Sequence, residues 1–217
     1  MDKEFVFISD FDGTITKKDF YVHVLEKYLG EEGAMKYKRW RRGEFKDVEF
    51  LGYVFQNIGQ NEEQIYRDII ELEFDPYLKN FIDFVYENNG DFIILSAGSN
   101  YYIETLLKHY GIEDIKIYSN RGIYRDKGIH FDIDPTYEFY CEKYGINKKK
   151  VVQHFKSKYK RVYYAGDSRP DYEASLLCDL VFARGKLISL LEENNINFFP
   201  FANFSEIKDV LINSFLG

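Results

Sequence analysis

Four stretches of this chain are almost wholly apolar and too short for buried helices: Phe5 to Ser9, Phe92 to Ser96, Val162 to Ala165 and Leu180 to Ala183. A strand with one wet face alternates apolar and polar residues, whereas a strand covered on both faces reads as a continuous apolar run. The four runs therefore predict parallel strands buried on both sides. Parallel strands need crossovers, and helical patterns supply them. Tyr101 to Tyr110 (YYIETLLKHY) closes on Gly111, a C-terminal stop, and Lys149 to Lys158 and Asp171 to Leu177 flank the third run. Strands alternating with helices predict an α/β fold with an open sheet, whose ligands sit at the carboxyl ends of the strands.

Two segments break that rhythm. Residues 17–86 contain no convincing strand and read as several helices, for example DFYVHVLEKYL and FLGYVFQNI. Placed between the first two strands, they predict a helical insert over the sheet's edge, with the core made of residues 1–16 and 87–217. The stretch IYSNRGIYRDKGIHFDID alternates about Asp126-Lys127-Gly128 and reads as a β-hairpin.

The 217 residues, 45% hydrophobic and 18% aromatic, suffice for such a core and insert. A formal net charge of -7 argues against a general nucleic-acid binder, while leaving room for a small anion in a local site. No run approaches the roughly 18 apolar residues of a membrane span. The N-terminus MDKEFVFI is too short and too acidic for a signal peptide. Cys141 and Cys178 are too few for a disulfide framework, and the four histidines show no ligand spacing. These features predict a cytoplasmic protein. The aromatic content could support a homodimer, with nothing in the chain to locate its interface.

The chemistry begins where the first strand ends, at ISDFDGTIT. Side chains two apart on an extended chain point the same way, so Asp10 and Asp12 both face the crevice. Gly13 allows a sharp turn and Thr14 adds a hydroxyl. A lone Asp-x-Asp is more often a turn than a site, but other strand ends converge on it. The second strand ends ILSAGSN, placing Ser96 and the backbone of Ala97 where a phosphate oxygen could bind. The third ends YYAGDSRPD, bringing Asp167, with Asp171 one helical turn later. Carboxylates about 4 Å apart repel by roughly 4 kcal/mol per pair at an effective dielectric of 20. A cation must hold them, and oxygen ligands without Cys or paired His suit a hard ion such as Mg²⁺, with structural Ca²⁺ as the bland alternative. Lysines for a phosphate are available at Lys148, Lys149 and Lys150. The run KRWRR (Lys38 to Arg42) reads as a solvated helix face.

Taken together, DFDGT, a strand ending in Ser96, a lysine, and GDSRPD resemble the four motifs of the haloacid dehalogenase superfamily of phosphatases. The helical insert looks like that superfamily's C1 cap, and the phosphoserine phosphatase-like branch is the nearest broad group. The segment GDSRPDYEASLLCDLVFARGKLISLLEENNINFFPFANFSEI is similar to the 2-hydroxy-3-keto-5-methylthiopentenyl-1-phosphate phosphatases of methionine salvage. That family's spacing places its lysine on Lys148. The chain departs from the common pattern at Ala97 and Asn100, where Gly and Asp are usual, and at Ser168, where Gly is frequent. The carboxylate-binding arginine of phosphoserine phosphatases falls near Gly52, which argues against phosphoserine.

The resemblance implies a Rossmann-like sheet with a C1 cap and a small phosphorylated metabolite as substrate. It makes Asp10 the nucleophile, Asp12 the general acid and base, and Thr14, Ser96, Ala97 and Lys148 the phosphate-binding residues. Asp10, Asp12, Asp167 and Asp171 would be the Mg²⁺ site, Asp12 through its backbone carbonyl. Asp19 and Phe20, early in the cap, would reach the substrate tail. A sugar phosphotransferase or phosphomutase would use the same two aspartates. A receiver-type signalling module also forms aspartyl-phosphate, but carries its aspartate on the third strand and lacks a cap.

Overall fold

In the computed structural model, which describes residues 3–215, the four apolar runs are strands of one parallel sheet. The chain runs β1 (Phe5–Ser9), then α1 (Phe20–Val24), which continues through a π-helical turn at Leu25–Leu29. α2 (Gly30–Arg41), α3 (Asp47–Gln56), α4 (Glu62–Ile70) and α5 (Leu78–Glu87) follow before the chain returns to the sheet as β2 (Gly90–Ser99). Next come α6 (Asn100–His109), β3 (Lys116–Asn120), a hairpin of β4 (Gly122–Arg125) and β5 (Gly128–Phe131), and a small pair of β6 (Tyr140–Cys141) and β7 (Gly145–Ile146). The second half is α7 (Lys148–Lys156), β8 (Arg161–Gly166), α8 (Arg169–Ser175), β9 (Leu180–Ala183), α9 (Gly185–Glu193), β10 (Phe199–Pro200) and α10 (Phe204–Phe215).

The sheet order is β10-β9-β8-β1-β2-β3, the doubly wound arrangement of a Rossmann-like sheet. From β1 the chain builds outward to one side, then crosses and builds to the other, so the switch point lies between β1 and β8. At such a point the connections leave in opposite directions and open a crevice at the strand ends. Asp10, Asp12 and Asp167 all follow these two strands.

Each strand divides its residues between two covers. Phe5 and Phe7 of β1, Phe92 and Ile94 of β2 and Tyr163 of β8 face one layer, with Phe81 of α5 and Phe204 of α10. Val6 and Ile8, Ile93 and Leu95, and Val162 and Tyr164 face the other, against Val151, Val152 and Phe155 of α7. Phe7 centres the aromatic layer, 4.7 Å from Phe81 edge-on and 5.9 Å from both Phe92 and Phe182.

The insert leaves and returns through a paired neck. Lys17 N–H donates to Glu73 O at 3.0 Å, Asp75 N–H donates to Ile15 O at 3.0 Å, and Thr16 bridges Phe74. Helix α5 lies in the stretch that the sequence assigns to the insert, yet its apolar face packs on the sheet through Phe81. We therefore place the end of the insert near Asp75 instead of residue 86. The cause is compositional: α5 is an amphipathic helix, and its sequence does not reveal what its apolar face meets.

The hairpin forms where expected, turning on Asp126 and Lys127, both with positive φ (50° and 62°), and β5 packs on α3. The stretch also contains β3, an edge strand of the main sheet that the alternating pattern did not separate from the hairpin. Alanine at Phe81 is expected to destabilise the whole protein by about 3–5 kcal/mol, measured by denaturant unfolding. A loss below about 1 kcal/mol would remove α5 from the core.

Candidate active site

The loop after β1 is built to present carboxylates. Asp10 N–H still bonds Ala165 O of β8 at 2.9 Å, so the chain stays tied to the sheet one residue past the strand. The N–H groups of Thr14, Ile15 and Thr16 then converge on Phe11 O at 3.2, 2.8 and 3.0 Å. Phe11 is fully buried between the two aspartates, which both line a cavity of about 420 Å³. Gly13 has φ +74°, and a Cβ there would lie 2.4 Å from Asp167 Oδ2, so only glycine lets this loop close on β8.

The two aspartates are held differently. Asp10 Oδ1 accepts from the Lys148 ammonium at 2.6 Å, and the same ammonium donates to Asp171 Oδ1 at 2.7 Å. All three side chains are buried, at 5%, 4% and 0% exposure for Asp10, Lys148 and Asp171. Asp12 has neutral donors instead. Its Oδ1 accepts from Phe20 N–H at 3.1 Å, and its Oδ2 from Tyr102 OH at 2.5 Å and Ser96 Oγ at 3.3 Å.

Lys148 is the first residue of α7, after the cap Asn147, whose side chain accepts from Lys150 N–H at 3.1 Å. Side chains in a first helical turn tilt back toward the N-terminus, which carries the ammonium into the crevice. Lys149 instead pairs with exposed Glu173, and Lys150 is exposed. Of the three lysines, Lys148 alone reaches the aspartates among the described residues.

Asp171 is committed to the protein. Besides Lys148, its Oδ1 accepts from Tyr164 OH at 2.7 Å, and its Oδ2 accepts the N–H groups of Asp167 and Ser168 at 3.1 and 3.0 Å. It fixes the turn that carries Asp167 and does not line the cavity. Thr14 is buried with its hydroxyl unpartnered and also lies outside the lining. Phe20 is fully buried, and what it contributes is its backbone N–H to Asp12, not a side chain to the cavity. Ser96, Ala97 and Asp19 do line it. Ser96 Oγ accepts from Gly98 N–H at 2.9 Å, where β2 loses its regular register.

Three features were not legible in the sequence. Tyr102 lies within the helical pattern Tyr101 to Tyr110, and nothing in the sequence marks its hydroxyl as bound to Asp12. The KRWRR run is not wholly a solvated face, because Trp40 and Arg41 line the cavity from α2. Trp40 stacks on Phe50 at 4.3 Å, which turns this end of α2 inward. The insert also brings His23 Nε2 within 3.9 Å of Asp68 and 3.8 Å of Glu71, a convergence the spacing did not suggest. Lys27 already pairs with both carboxylates, 2.6 Å from Asp68 and 3.3 Å from Glu71.

The charges at the sheet edge do not balance. Burial, and next Asp171, push the Asp10 carboxyl well above the usual range, against the opposing pull of Lys148. Burial and Asp171 push Asp167 to about 7, and burial and Asp12 push Asp19 to about 8. Burial also raises Asp12, while the Tyr102 and Phe20 hydrogen bonds pull it back. Burial pushes the Lys148 ammonium down, but Asp10 and Asp171 outweigh it and hold its proton firmly. Oxygens of Asp10, Asp167 and Asp171 lie within 4.8 Å of one another, and Asp167 Oδ1 is buried without a hydrogen-bond partner. An orphaned carboxylate oxygen beside a second carboxylate, with no Cys or His in the cavity lining, fits a hard divalent cation. The Asp12 carboxyl group is not part of that cluster and is held by its own donors.

Comparison with known proteins agrees with this geometry. A family model described as "Putative Phosphatase" matches residues 5–195. The chain is 30% identical over 205 residues to a 2-hydroxy-3-keto-5-methylthiopentenyl-1-phosphate phosphatase of Bacillus cereus (strain ATCC 10987 / NRS 248), covering 93% of each chain. It is 31% identical, with the same coverage, to the Bacillus anthracis protein of that name. Among solved structures, a phospho-aspartyl intermediate analogue of phosphoserine phosphatase superposes with a TM-score of 0.68 at 13% identity, over 97% of this chain and 99% of that one. A phosphoserine phosphatase from T. onnurineus gives 0.67 at 17% identity, over 98% and 96%.

The raised carboxyl groups set a pH dependence. A group whose folded pKa exceeds its unfolded value binds its proton more tightly in the folded state, so its stabilisation is full at low pH and is lost as pH rises through the folded pKa. For Asp167 and Asp19 that window runs from the ordinary 3.8 to about 7 and about 8. The thermal midpoint of the metal-free protein is therefore expected to fall between pH 5 and 8. Millimolar Mg²⁺ should restore it at pH 8 and add little at pH 5, where protons already neutralise the cluster. Scanning calorimetry showing the same Mg²⁺ effect at both pH values, or none, would rule out a cation at this cluster.

Proposed function

The chain belongs to the phosphatase family of that match, within the haloacid dehalogenase superfamily, and from this premise we propose two-step hydrolysis of a small phosphomonoester through an aspartyl-phosphate. One observation carries the reading. Two aspartates one residue apart line the same cavity, one held by a buried ammonium and the other by neutral donors. Different surroundings suit different roles.

In this mechanism the ionised form of Asp10, which Lys148 favours against the opposing push of burial and Asp171, attacks phosphorus in line. The bond to the leaving oxygen breaks and the phosphoryl group passes to Asp10. Asp12 gives its proton to the leaving oxygen, then takes one from the water that cleaves the aspartyl-phosphate. Burial pushes the Asp12 carboxyl up, the direction an acid needs, against the pull of its hydrogen bonds. Lys148 and Ser96 flank the place of the phosphate, with the Ala97 backbone beside them. Asp10, Asp167 and the backbone carbonyl of Asp12 would hold Mg²⁺, with Asp171 fixing the Asp167 turn; when bound, the ion neutralises charge on the phosphate.

For the substrate we propose the enol-phosphate of methionine salvage. The relatives named for that phosphate support it, as does the cavity wall. Tyr21, Trp40, Leu51 and Phe55 of the insert line the cavity, a largely aromatic surface suited to a thioether tail. Residues 17 to about 75 then act as the cap that selects substrate and excludes water. A second reading, phosphoserine, is favoured by Arg41. No arginine stands at Gly52, but the Arg41 guanidinium lines the cavity from another helix and could meet a carboxylate.

Asp10→Asn is expected to lower turnover by at least about 10³-fold while the circular dichroism spectrum stays that of the parent. Near-normal turnover would dismiss Asp10 as nucleophile. Phosphate release with Mg²⁺ across the enol-phosphate, phosphoserine and sugar phosphates is expected to favour the enol-phosphate. Preference for phosphoserine would transfer the tail-binding role to Arg41, and isomerised sugar phosphate in place of free phosphate would mean a mutase.

A further inference from the structure

We propose that Tyr102 positions the Asp12 carboxyl group for proton transfer to the leaving oxygen, an assignment that rests on the two-aspartate mechanism above. Tyr102 is the third residue of α6, after the cap Ser99, whose Oγ accepts from Tyr101 N–H at 3.2 Å. Long side chains in a first helical turn lean back over the chain that precedes it. The phenol thereby reaches past the end of β2, and its hydroxyl donates to Asp12 Oδ2 at 2.5 Å.

Three features make this contact specific. The ring is fixed among Phe20, Phe55 and Phe11, with centroids 4.9, 5.6 and 6.0 Å away, and Tyr102 is 1% exposed. Gly98 leaves the hydroxyl its place, since a Cβ there would lie 1.7 Å from Tyr102 Oη and 2.9 Å from Asp12 Oδ2. Phe20 N–H holds the opposite carboxyl oxygen at 3.1 Å. Gripped at both oxygens, the carboxyl group cannot rotate freely. Ser96 Oγ, at 3.3 Å and already accepting from Gly98 N–H, is the weaker hold. Tyr102 acts through Asp12 and forms no bond to phosphorus.

The chemistry supplies a selective test. An alkyl oxygen must gain a proton as its bond to phosphorus breaks, whereas p-nitrophenolate departs without one. Tyr102→Phe keeps the ring and removes the hydroxyl. In single-turnover rates of leaving-group release with Mg²⁺, it is expected to slow a sugar phosphate by roughly 30- to 100-fold and p-nitrophenyl phosphate by less than about threefold. An equal loss on both esters, or no loss on either, overturns the assignment. Asp12→Asn measured alongside separates the two layers. If Asp12→Asn is selective and Tyr102→Phe is not, only the positioning role falls. If Asp12→Asn is not selective either, the acid role of Asp12 falls with it.

Discussion

The site depends on one buried cation. Lys148 donates to Asp10 and Asp171 at 2.6 and 2.7 Å, and almost none of the three side chains is exposed. Removing one partner of such a buried pair leaves an uncompensated charge and typically costs about 3–5 kcal/mol. The contact joins three parts of the chain that are far apart in sequence: the end of β1, the start of α7 and the start of α8. Asp171 extends the network through Tyr164 of β8 and the backbone of Asp167 and Ser168. A single ammonium thus ties the crevice together, and one positive charge cannot neutralise every carboxylate there.

The sheet explains why this charge arrangement is affordable. One cover sets a cluster of phenylalanines among aliphatic residues, and the other is mostly aliphatic. A sheet buried on both faces can expose polar groups only at its ends. The switch point between β1 and β8 is the place where chain connections leave the strand ends uncovered. The acidic residues follow those two strands, and the insert faces them with Tyr21, Trp40, Leu51 and Phe55.

Much of this was legible in the sequence, for reasons that differ by residue. Strands apolar on both faces leave a pattern that needs no partner to interpret, so β1, β2, β8 and β9 could be read directly. Asp10, Asp12, Ser96 and Asp167 could be placed because each stands at a strand end, where position along the chain dictates position in space. Lys148 needed the resemblance, since its neighbours Lys149 and Lys150 are chemically identical and only packing separates them. The end of the insert was misread because α5 and the cap helices share the same amphipathic period. Edge strand β3 was merged with the hairpin because its burial is as uneven as a hairpin's. Arg41 and Trp40 were taken for surface because a basic run carries no sign of the cavity it borders.

Tyr102 marks the limit of such reading. In the sequence it is one position of a helical pattern, and all of the ring except its hydroxyl behaves as core. The functional information lies in one oxygen and in the absence of a Cβ at Gly98. Asp10 and Asp12 are likewise the same residue type, two positions apart, and their sequence surroundings do not divide the labour between them. Their partners do. A charged donor favours the ionised form of Asp10 against the push of burial, while burial raises Asp12 and the neutral donors that grip it pull it back toward release. The distinction between nucleophile and acid is therefore a property of α6 and α7, the helices that supply Tyr102 and Lys148, as much as of the loop that carries both aspartates.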